Sequence, residues 1–225
     1  MGIYSDIVFP NLEPLITKGL WKERRRLLKD VRGDVLEIGP GAGENVNYLS
    51  PDVRSYCAIE PSLGFVKKAR RKSHQSNKNF SIKMMRAKGE NLPFKEKSFD
   101  AAICFLVLCS VNNPVRTLAE IHRVLNPGGK LVFFEHVLSE DKAVACLQNR
   151  INPVWRVLGC GCELNRNTAN AVKKAGFDFI RLQQYRSSRM GPRLLQKSSR
   201  ERQSNLLRTK IKEITSATDF LMNTN

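Results

Sequence analysis

The stretch "VLEIGPGAGENV", Val35 to Val46, constrains the fold more than any other part of the chain. A short apolar run leads into three glycines two residues apart, Gly39, Gly41 and Gly43, and then into a predicted helix from about Glu44. A strand that continues through bare backbone into a helix forms a nucleotide cradle, because its N–H groups can approach the ligand closely. The stretch therefore predicts an α/β unit with a ligand at the glycine loop.

Predicted strands alternate with predicted helices up to Arg186. The strands lie in "DVLEIG", "SYCAIE", "NFSIKMMRAKG", "SFDAAICFLVLCSV", "KLVFFEHV" and "DFIRLQQYR". The fourth is continuously apolar, which is typical of a strand buried on both faces of a parallel sheet. This order predicts an α/β fold with a doubly wound, mainly parallel sheet, whose ligand lies outside the carboxyl ends of the strands.

The chain divides into three segments. Residues 1–32 form an amphipathic helical segment with a helix predicted from Pro14 to Asp30, residues 33–186 form the α/β domain, and residues 187–225 form a basic tail. Two interpretations of the N-terminal helix remain open. It packs over the ligand site, which its short apolar face favours, or it lies on a membrane surface with Trp21 at the interface.

The chain carries 38 Lys and Arg against 21 Asp and Glu, a formal charge of +17, which favours anionic partners. Nine of these basic residues lie between Pro61 and Gly89, where no acid occurs. A solvated helix face is the favoured explanation, and an anionic membrane surface or RNA are the alternatives. Six scattered cysteines and no recognisable signal peptide predict a reducing, intracellular compartment.

Three features of the glycine loop indicate which nucleotide it holds. Glu44 occupies the position of the last glycine in the dinucleotide pattern G-x-G-x-x-G, so that pattern fails. Glu37 and Glu44 bracket the loop, which disfavours a pyrophosphate and favours a sulfonium or ammonium group. Glu60, 21 residues beyond Gly39, ends the second strand, where a carboxylate can accept both ribose hydroxyls. S-adenosylmethionine fits better than NAD, although Glu37 taken alone is equally well explained as a solvated acid.

From Val35 to about Tyr185 the sequence resembles the class I S-adenosylmethionine-dependent methyltransferases. "LEIGPGAG", "CAIEPS", "AKGENLPFKEKSFDAAICFLVL" and "RVLNPGGKLVFFEHV" match their ordered motifs. Within this Rossmann-like class it is most similar to the small microsomal methyltransferase-like proteins that methylate alkyl thiols, through "LVLCSV", "FFEHV", "NPVW" and the "GC…LNRNT…AGF" run. The family sheet ends in a seventh, antiparallel strand, and no run beyond Tyr185 resembles one, so the seventh strand stays in doubt.

The resemblance implies roles for individual residues. The three glycines face the methionine moiety with Glu37 near its ammonium, Glu60 holds the ribose, and the adenine lies between the Pro61–Ser62 pair and the edge at Lys88 to Glu90. The implied cofactor-binding residues are Glu37, Gly39, Gly41, Gly43, Glu60, Pro61, Ser62, Gly89, Glu90 and Leu106. Lys88 departs from the family, where many members place an Asp for the adenine amino group, and a backbone carbonyl has to accept that hydrogen bond instead.

At the acceptor side, His136 is the candidate catalytic residue, because an imidazole at the end of the fifth strand can deprotonate or orient a thiol. A structural histidine is the alternative. A covalent role for Cys109 is disfavoured, since class I transfer normally needs no enzyme nucleophile. Zinc at Cys160 and Cys162 is also disfavoured, because no second pair at metal spacing accompanies them.

These observations together predict methyl transfer from S-adenosylmethionine to a small, lipophilic acceptor, with a thiol favoured by the resemblance. An RNA or protein methyltransferase is the first alternative, which only the basic surface supports. A weakly catalytic or non-catalytic relative that binds a membrane or partner through its tail is the second. We expect an intracellular monomer, cytoplasmic or peripheral on the endoplasmic reticulum membrane.

Overall fold

The central sheet is built from the apolar runs identified above. A computed structural model describes residues 2–182 and 214–216 of the chain. The strands are β1 (Gly33–Ile38), β2 (Val53–Ile59), β3 (Ser81–Met85), β4 (Phe99–Phe105), β5 (Leu125–Phe134), β6 (Phe177–Phe179) and β7 (Ile214–Ser216), and they lie in the order β3-β2-β1-β4-β5-β7-β6. The first five run parallel, which confirms the predicted doubly wound sheet.

The strand order reverses at β1, which lies between β2 and β4. The chain passes from β1 to β2 and β3 on one side and then crosses to β4 on the other, so the carboxyl ends of these strands border a crevice that suits a ligand. Successive residues of β1 serve different layers: Val35 joins the core on one face and Leu36 the core on the other, and both are fully buried. This is the period of two that a strand covered on both faces requires.

Helices cover both faces of the sheet. They are α1 (Phe9–Thr17), α2 (Trp21–Leu28), α3 (Leu63–His74), α4 (Pro114–Val124), α5 (Lys142–Leu158) and α6 (Thr168–Lys174). Side-chain caps set where several of them begin: the Asn113 side chain accepts from the Arg116 N–H and Asp141 from the Ala143 N–H. Within the described residues, none of these helices has the length and apolar character needed to cross a membrane.

Two predicted helices differ from those observed, and one observed helix was not predicted. The single helix expected from Pro14 to Asp30 is α1 and α2, joined by a 3-10 turn at Lys18–Leu20, where Gly19 has a low helix propensity. The helix expected from Glu44 is one 3-10 helix, Glu44–Tyr48, because asparagines at its second and fourth positions favour turns over helix interiors. The 17-residue helix α5, which contains Pro153, was not predicted.

The end of the sheet also departs from expectation. The sixth strand is limited to Phe177–Phe179, and the rest of its predicted extent lies largely outside the described residues. Ile214–Ser216, inside the segment interpreted as a basic tail, pair antiparallel with both β5 and β6. Three residues are too few to produce a detectable alternation, so the sequence pattern could not reveal this strand.

Candidate functional site

The carboxyl edge of β1, β2, β4 and β5 gathers most of the residues that the sequence singled out. Gly39 follows β1 with φ +62°, and its N–H donates to the Ile59 carbonyl at 2.9 Å. A Cβ at this position would lie 2.4 Å from Val107 Cγ2, so only glycine lets the loop pass beneath the turn after β4. Gly43 has φ +82°, and a Cβ there would lie 2.9 Å from Ala69 Cα in α3. These two glycines are required by the packing of the loop itself.

Glu37 lies beneath the loop and is completely buried. One carboxylate oxygen accepts from Asn45 Nδ2 at 2.6 Å and the other from the Tyr56 hydroxyl. Arg24 of α2 is also buried and donates through Nε to Asn45 Oδ1 at 2.8 Å. Burial raises the pKa of Glu37 to about 7 against the effect of these hydrogen bonds. The solvated-acid interpretation is therefore wrong, and Glu37 anchors α2 and the glycine loop to the sheet.

Glu60 ends β2 and is almost fully buried. Its Oε1 accepts from the Ser62 N–H at 3.0 Å, and the Gly41 N–H donates to the same carboxylate. Burial raises the pKa of Glu60 to about 7, and the nearby carboxylates of Glu13 and Asp6 act in the same direction. The carboxylate thus links the glycine loop to the start of α3, at the place where the resemblance puts the cofactor ribose.

The N-terminal segment packs directly over this edge. Ser62 Oγ donates to Asp6 Oδ1 at 2.8 Å, and a Cβ on Gly64 would lie 1.8 Å from the Asp6 carbonyl oxygen. The rings of Phe9 and Phe65 meet edge to face with centroids 6.0 Å apart. These contacts support the interpretation of the segment as a packing element over the ligand site.

Glu13 is the functional candidate that the sequence did not reveal. It comes from α1 to the glycine loop, where its Oε2 would lie 3.5 Å from a Cβ on Gly41. Its Oε1 accepts from Thr17 Oγ1 at 2.9 Å, whereas the buried Oε2 has no hydrogen-bond partner among the described residues. Burial raises the pKa of Glu13. A buried, unpaired carboxylate oxygen beside a bare backbone loop fits the ammonium group of an amino-acid moiety.

The remaining predicted cofactor residues lie in the loops that follow β2, β3 and β4. Glu90 Oε1 accepts from the backbone N–H groups of Asn112 and Asn113, at 2.9 and 3.2 Å. Gly89 is buried, and a Cβ there would lie 2.9 Å from Thr117 Cγ2. Leu106 has φ +58°, an unusual conformation for a residue with a side chain. Pro61, between β2 and α3, accepts through its carbonyl from Arg86 Nε at 3.2 Å.

Just beyond β5, His136 lies within a sulfur cluster. Its Nδ1 is 3.2 Å from Cys162 Sγ and 3.8 Å from Cys109 Sγ, and the two sulfurs are 3.4 Å apart. The Cys109 thiol and the His136 ring hold the pKa of Cys162 below its usual value. Burial acts to lower the pKa of His136, but the hydrogen bond and charge of Cys162 outweigh it, so that pKa is raised.

Glu135, beside His136, holds the turn that follows β4. Its carboxylate is buried and accepts from the consecutive backbone N–H groups of Val107, Leu108 and Cys109, at 2.7 to 3.1 Å. Burial raises its pKa to about 7. Since Val107 also packs against Gly39, Glu135 fixes the turn after β4 relative to the glycine loop. The carboxylate has a positioning role, which the sequence left ambiguous.

The sequence predicted that most of these residues lie at one edge of the sheet, but it did not predict which of the cysteines and His136 contact one another. Cys162 lies next to His136 and also next to Cys109, which stands 53 positions earlier in the chain. No spacing rule relates residues that far apart, so only the fold reveals the cluster. The loop cradle, the unpaired oxygen of Glu13 and the carboxylate of Glu60 together fit a nucleoside cofactor with a cationic amino-acid end.

Comparison with known proteins agrees with this geometry. Residues 36–133 match the protein family described as "Methyltransferase domain". The chain is 35% identical over 190 residues to thiol S-methyltransferase TMT1B of Rattus norvegicus, covering 78% of this chain and 77% of that protein. It is 38% identical over 152 residues to thiol S-methyltransferase TMT1A of Homo sapiens, covering 66% and 62%.

Solved structures share the fold at low sequence identity. YcgJ of Bacillus subtilis has a TM-score of 0.63 and 18% identity, with 88% of this chain and 96% of that chain covered. The N-methyltransferase NodS of Bradyrhizobium japonicum, in complex with S-adenosylhomocysteine, has a TM-score of 0.60 and 15% identity, with 90% and 88% covered. The chain therefore belongs to the class I S-adenosylmethionine-dependent methyltransferases, as its motifs predicted, and S-adenosylmethionine is its cofactor.

Proposed function

We propose that this methyltransferase transfers the methyl group of S-adenosylmethionine to the sulfur of a small, lipophilic thiol. The observation that carries the proposal is the 35% identity, over about three quarters of both chains, to a rat protein named thiol S-methyltransferase. The acceptor edge supports it chemically. A thiol with a pKa near 8.5 needs little help to ionise, and the His136 imidazole beside the turn after β4 is placed to orient it.

The cofactor is held by the edge described above. The glycine loop takes the methionine moiety, the free oxygen of Glu13 accepts from its ammonium, and Glu60 accepts from the ribose hydroxyls. Glu37 acts through the loop that it anchors. Pro61, Ser62, Gly89, Glu90 and Leu106 border the adenine. In this arrangement the sulfonium methyl faces the turn after β4, where an acceptor sulfur can attack in line with the leaving sulfur.

His136 orients the acceptor. Its Nδ1 faces the two cysteine sulfurs, and its Nε2 makes no hydrogen bond to the described part of the chain. The ring also lies edge to face with Trp155, with centroids 6.4 Å apart, which limits its rotation. A fixed imidazole and an apolar indole form a surface suited to a small thiol rather than to a polyanion.

The direct test is a methylation assay with matched acceptors. Purified protein and labelled S-adenosylmethionine are incubated with benzyl mercaptan or, as control, benzyl alcohol, and the methylated products are resolved by chromatography. We expect methyl benzyl sulfide and no ether. Methylation of RNA or protein in its place would overturn the proposal. Raising salt to about 0.3 M should leave the rate nearly unchanged, whereas a nucleic-acid substrate would lose most of it.

We also propose that the outer face of the N-terminal segment rests on an anionic membrane surface, consistent with a cytoplasmic protein peripheral to the endoplasmic reticulum. Leu15 of α1 and Val157 of α5 are 72% and 71% exposed, and Tyr4 Oη donates to the Leu158 carbonyl at 2.6 Å, which joins the start of the N-terminal segment to α5. Basic side chains of α2 lie next to α1 in the chain, which suits acidic lipid headgroups.

Vesicle flotation tests this second proposal. The protein should float with vesicles that contain phosphatidylserine, and less with vesicles of phosphatidylcholine alone. The variant Leu15→Ser combined with Val157→Ser should lose flotation but keep S-adenosylhomocysteine binding, since neither side chain is part of the buried edge. Equal flotation of the variant and the wild type would show that this face is not the contact.

A further inference from the structure

The sulfur cluster at the acceptor edge has the composition of a metal site. We propose that Cys109 Sγ, His136 Nδ1 and Cys162 Sγ bind one Zn²⁺ ion, and that the ion's fourth position takes the acceptor sulfur as a thiolate. The zinc site itself stands on the geometry of these three residues. Only the identity of the fourth ligand rests on the proposed thiol activity.

The distances among the three atoms match the edges of a tetrahedral site. Zinc lies about 2.3 Å from thiolate sulfur and about 2.0 Å from imidazole nitrogen, so a tetrahedron has edges of about 3.8 Å between sulfurs and about 3.5 Å between sulfur and nitrogen. The observed separations are 3.4 Å between the sulfurs and 3.2 and 3.8 Å from Nδ1 to each sulfur. Shifts of a few tenths of an ångström admit an ion.

The three ligands come from separate turns that the fold holds firmly. The Cys109 N–H donates to Glu135 Oε2 at 3.1 Å, and the Cys109 carbonyl accepts from the Glu163 N–H at 2.9 Å. That second bond joins the loop of Cys162 to the turn after β4. Arg166 Nη1 reinforces the join by donating to the Leu108 carbonyl at 2.7 Å. Such support fixes ligand positions before an ion arrives, which metal sites commonly require.

The donor set selects the class of ion. Two thiolates and an imidazole favour zinc over magnesium or calcium, which prefer oxygen ligands. Cys109 and Cys162 are buried, whereas Cys146 is exposed. Three protein ligands are the usual number in a catalytic zinc site, and a fourth, exchangeable position remains for substrate.

The position of the cluster gives the ion a role in the reaction. Cys109 is two residues beyond Val107, which packs against Gly39 of the cofactor loop. A thiol R–SH that enters the fourth position loses its proton to solvent and binds as a thiolate. A sulfur lone pair then forms a bond to the methyl carbon while the bond from that carbon to the sulfonium breaks, its electron pair remaining on the departing sulfur. The products are R–S–CH₃ and S-adenosylhomocysteine, and the neutral thioether, a weaker ligand, gives way to water.

The test begins with metal content, which requires no turnover. The full-length protein is purified with a phosphine reductant, because thiol reductants would compete for the site, and is dialysed against an equimolar amount of zinc. Elemental analysis and native mass spectrometry should find about one zinc per chain. Substitution with Co²⁺ should produce sulfur-to-cobalt charge-transfer absorption. The variants Cys109→Ala and Cys162→Ala should lower the zinc content more than roughly 10-fold, and Cys146→Ala should not change it.

Two controls separate this inference from the proposed function. Titration with S-adenosylhomocysteine shows that each variant is folded and retains its cofactor site. Folded, reduced wild type without bound zinc would overturn the metal site. Thiol methylation that continues at full rate after zinc removal would overturn the role of the ion and leave the thiol activity standing. Bound zinc with no thiol methylation would uphold the site and reject the acceptor.

Discussion

The cofactor assignment is most sharply tested at Glu60. In the variant Glu60→Gln the amide oxygen can still accept from the Ser62 N–H, so the contact with the start of α3 survives, but the NH₂ group cannot accept from a ribose hydroxyl. A hydrogen bond to a charged group contributes about 1.5–3 kcal/mol, and its neutral counterpart about half of that. Loss of this acceptor and of the charge should therefore cost about 2–3 kcal/mol, or roughly 30- to 150-fold in Kd.

Calorimetric titration with S-adenosylhomocysteine measures this loss directly, with the exposed acid variant Glu96→Gln as control. A second arm uses pH. Because burial raises the pKa of Glu60 to about 7, the carboxylate that the ribose needs is depleted below that pH. Wild-type affinity should fall by up to about tenfold per pH unit below 7, and the Gln variant should lose the part of that slope that Glu60 supplies. A Kd within twofold of wild type, or an unchanged slope, would refute the ribose assignment.

Three further predictions concern the same edge. Gly43→Ala should lower the free energy of unfolding by about 2–4 kcal/mol, because the added Cβ would clash with α3. Gly128→Ala, at a similar φ but in open space, should lower it by only about 1 kcal/mol, so thermal unfolding of the two variants separates the steric clash from the backbone strain. The Tm of the ligand-free protein should fall as pH rises from about 4.5 to 7, because the buried carboxyls with raised pKa bind more protons in the folded state than in the unfolded state. Glu37→Gln should reduce that fall in Tm, and an equal fall in the variant and the wild type would exclude Glu37 as a source. Glu13→Gln should weaken S-adenosylmethionine binding by roughly 10-fold or more, and unchanged affinity would remove Glu13 from the ammonium site.

Local pattern was sufficient for the central fold. The apolar runs around β1 and β4 are buried on both faces, so their composition alone identifies parallel strands, and the glycine loop marks the end of β1. Elements without such a pattern were missed or shortened. Helix α5 has no buried residues in the structure, so it offers no core-facing stripe, and β7 has only three residues.

The candidate site was predictable only where one residue carries its own signal. Glu60 follows a strand at a fixed distance from the loop, and that spacing is local enough to recognise. Glu13 reaches the loop from a helix 28 positions before Gly41, and the pairing of Cys109 with Cys162 depends on two turns that meet only in the folded chain. Such contacts depend on how the chain is folded, and no local pattern in a single sequence indicates them.

The charge distribution of the edge explains why this cradle suits a sulfonium cofactor. The chain carries a formal charge of +17, yet the residues lining the loop include the buried carboxyls Glu13, Glu37 and Glu60, whose raised pKa values record the cost of keeping them ionised. A pyrophosphate would increase that cost, whereas a sulfonium and an ammonium reduce it. Methyl transfer removes the sulfonium charge and leaves only the ammonium. We therefore expect the edge to bind S-adenosylmethionine more tightly than S-adenosylhomocysteine, so that the reaction itself weakens binding of its product.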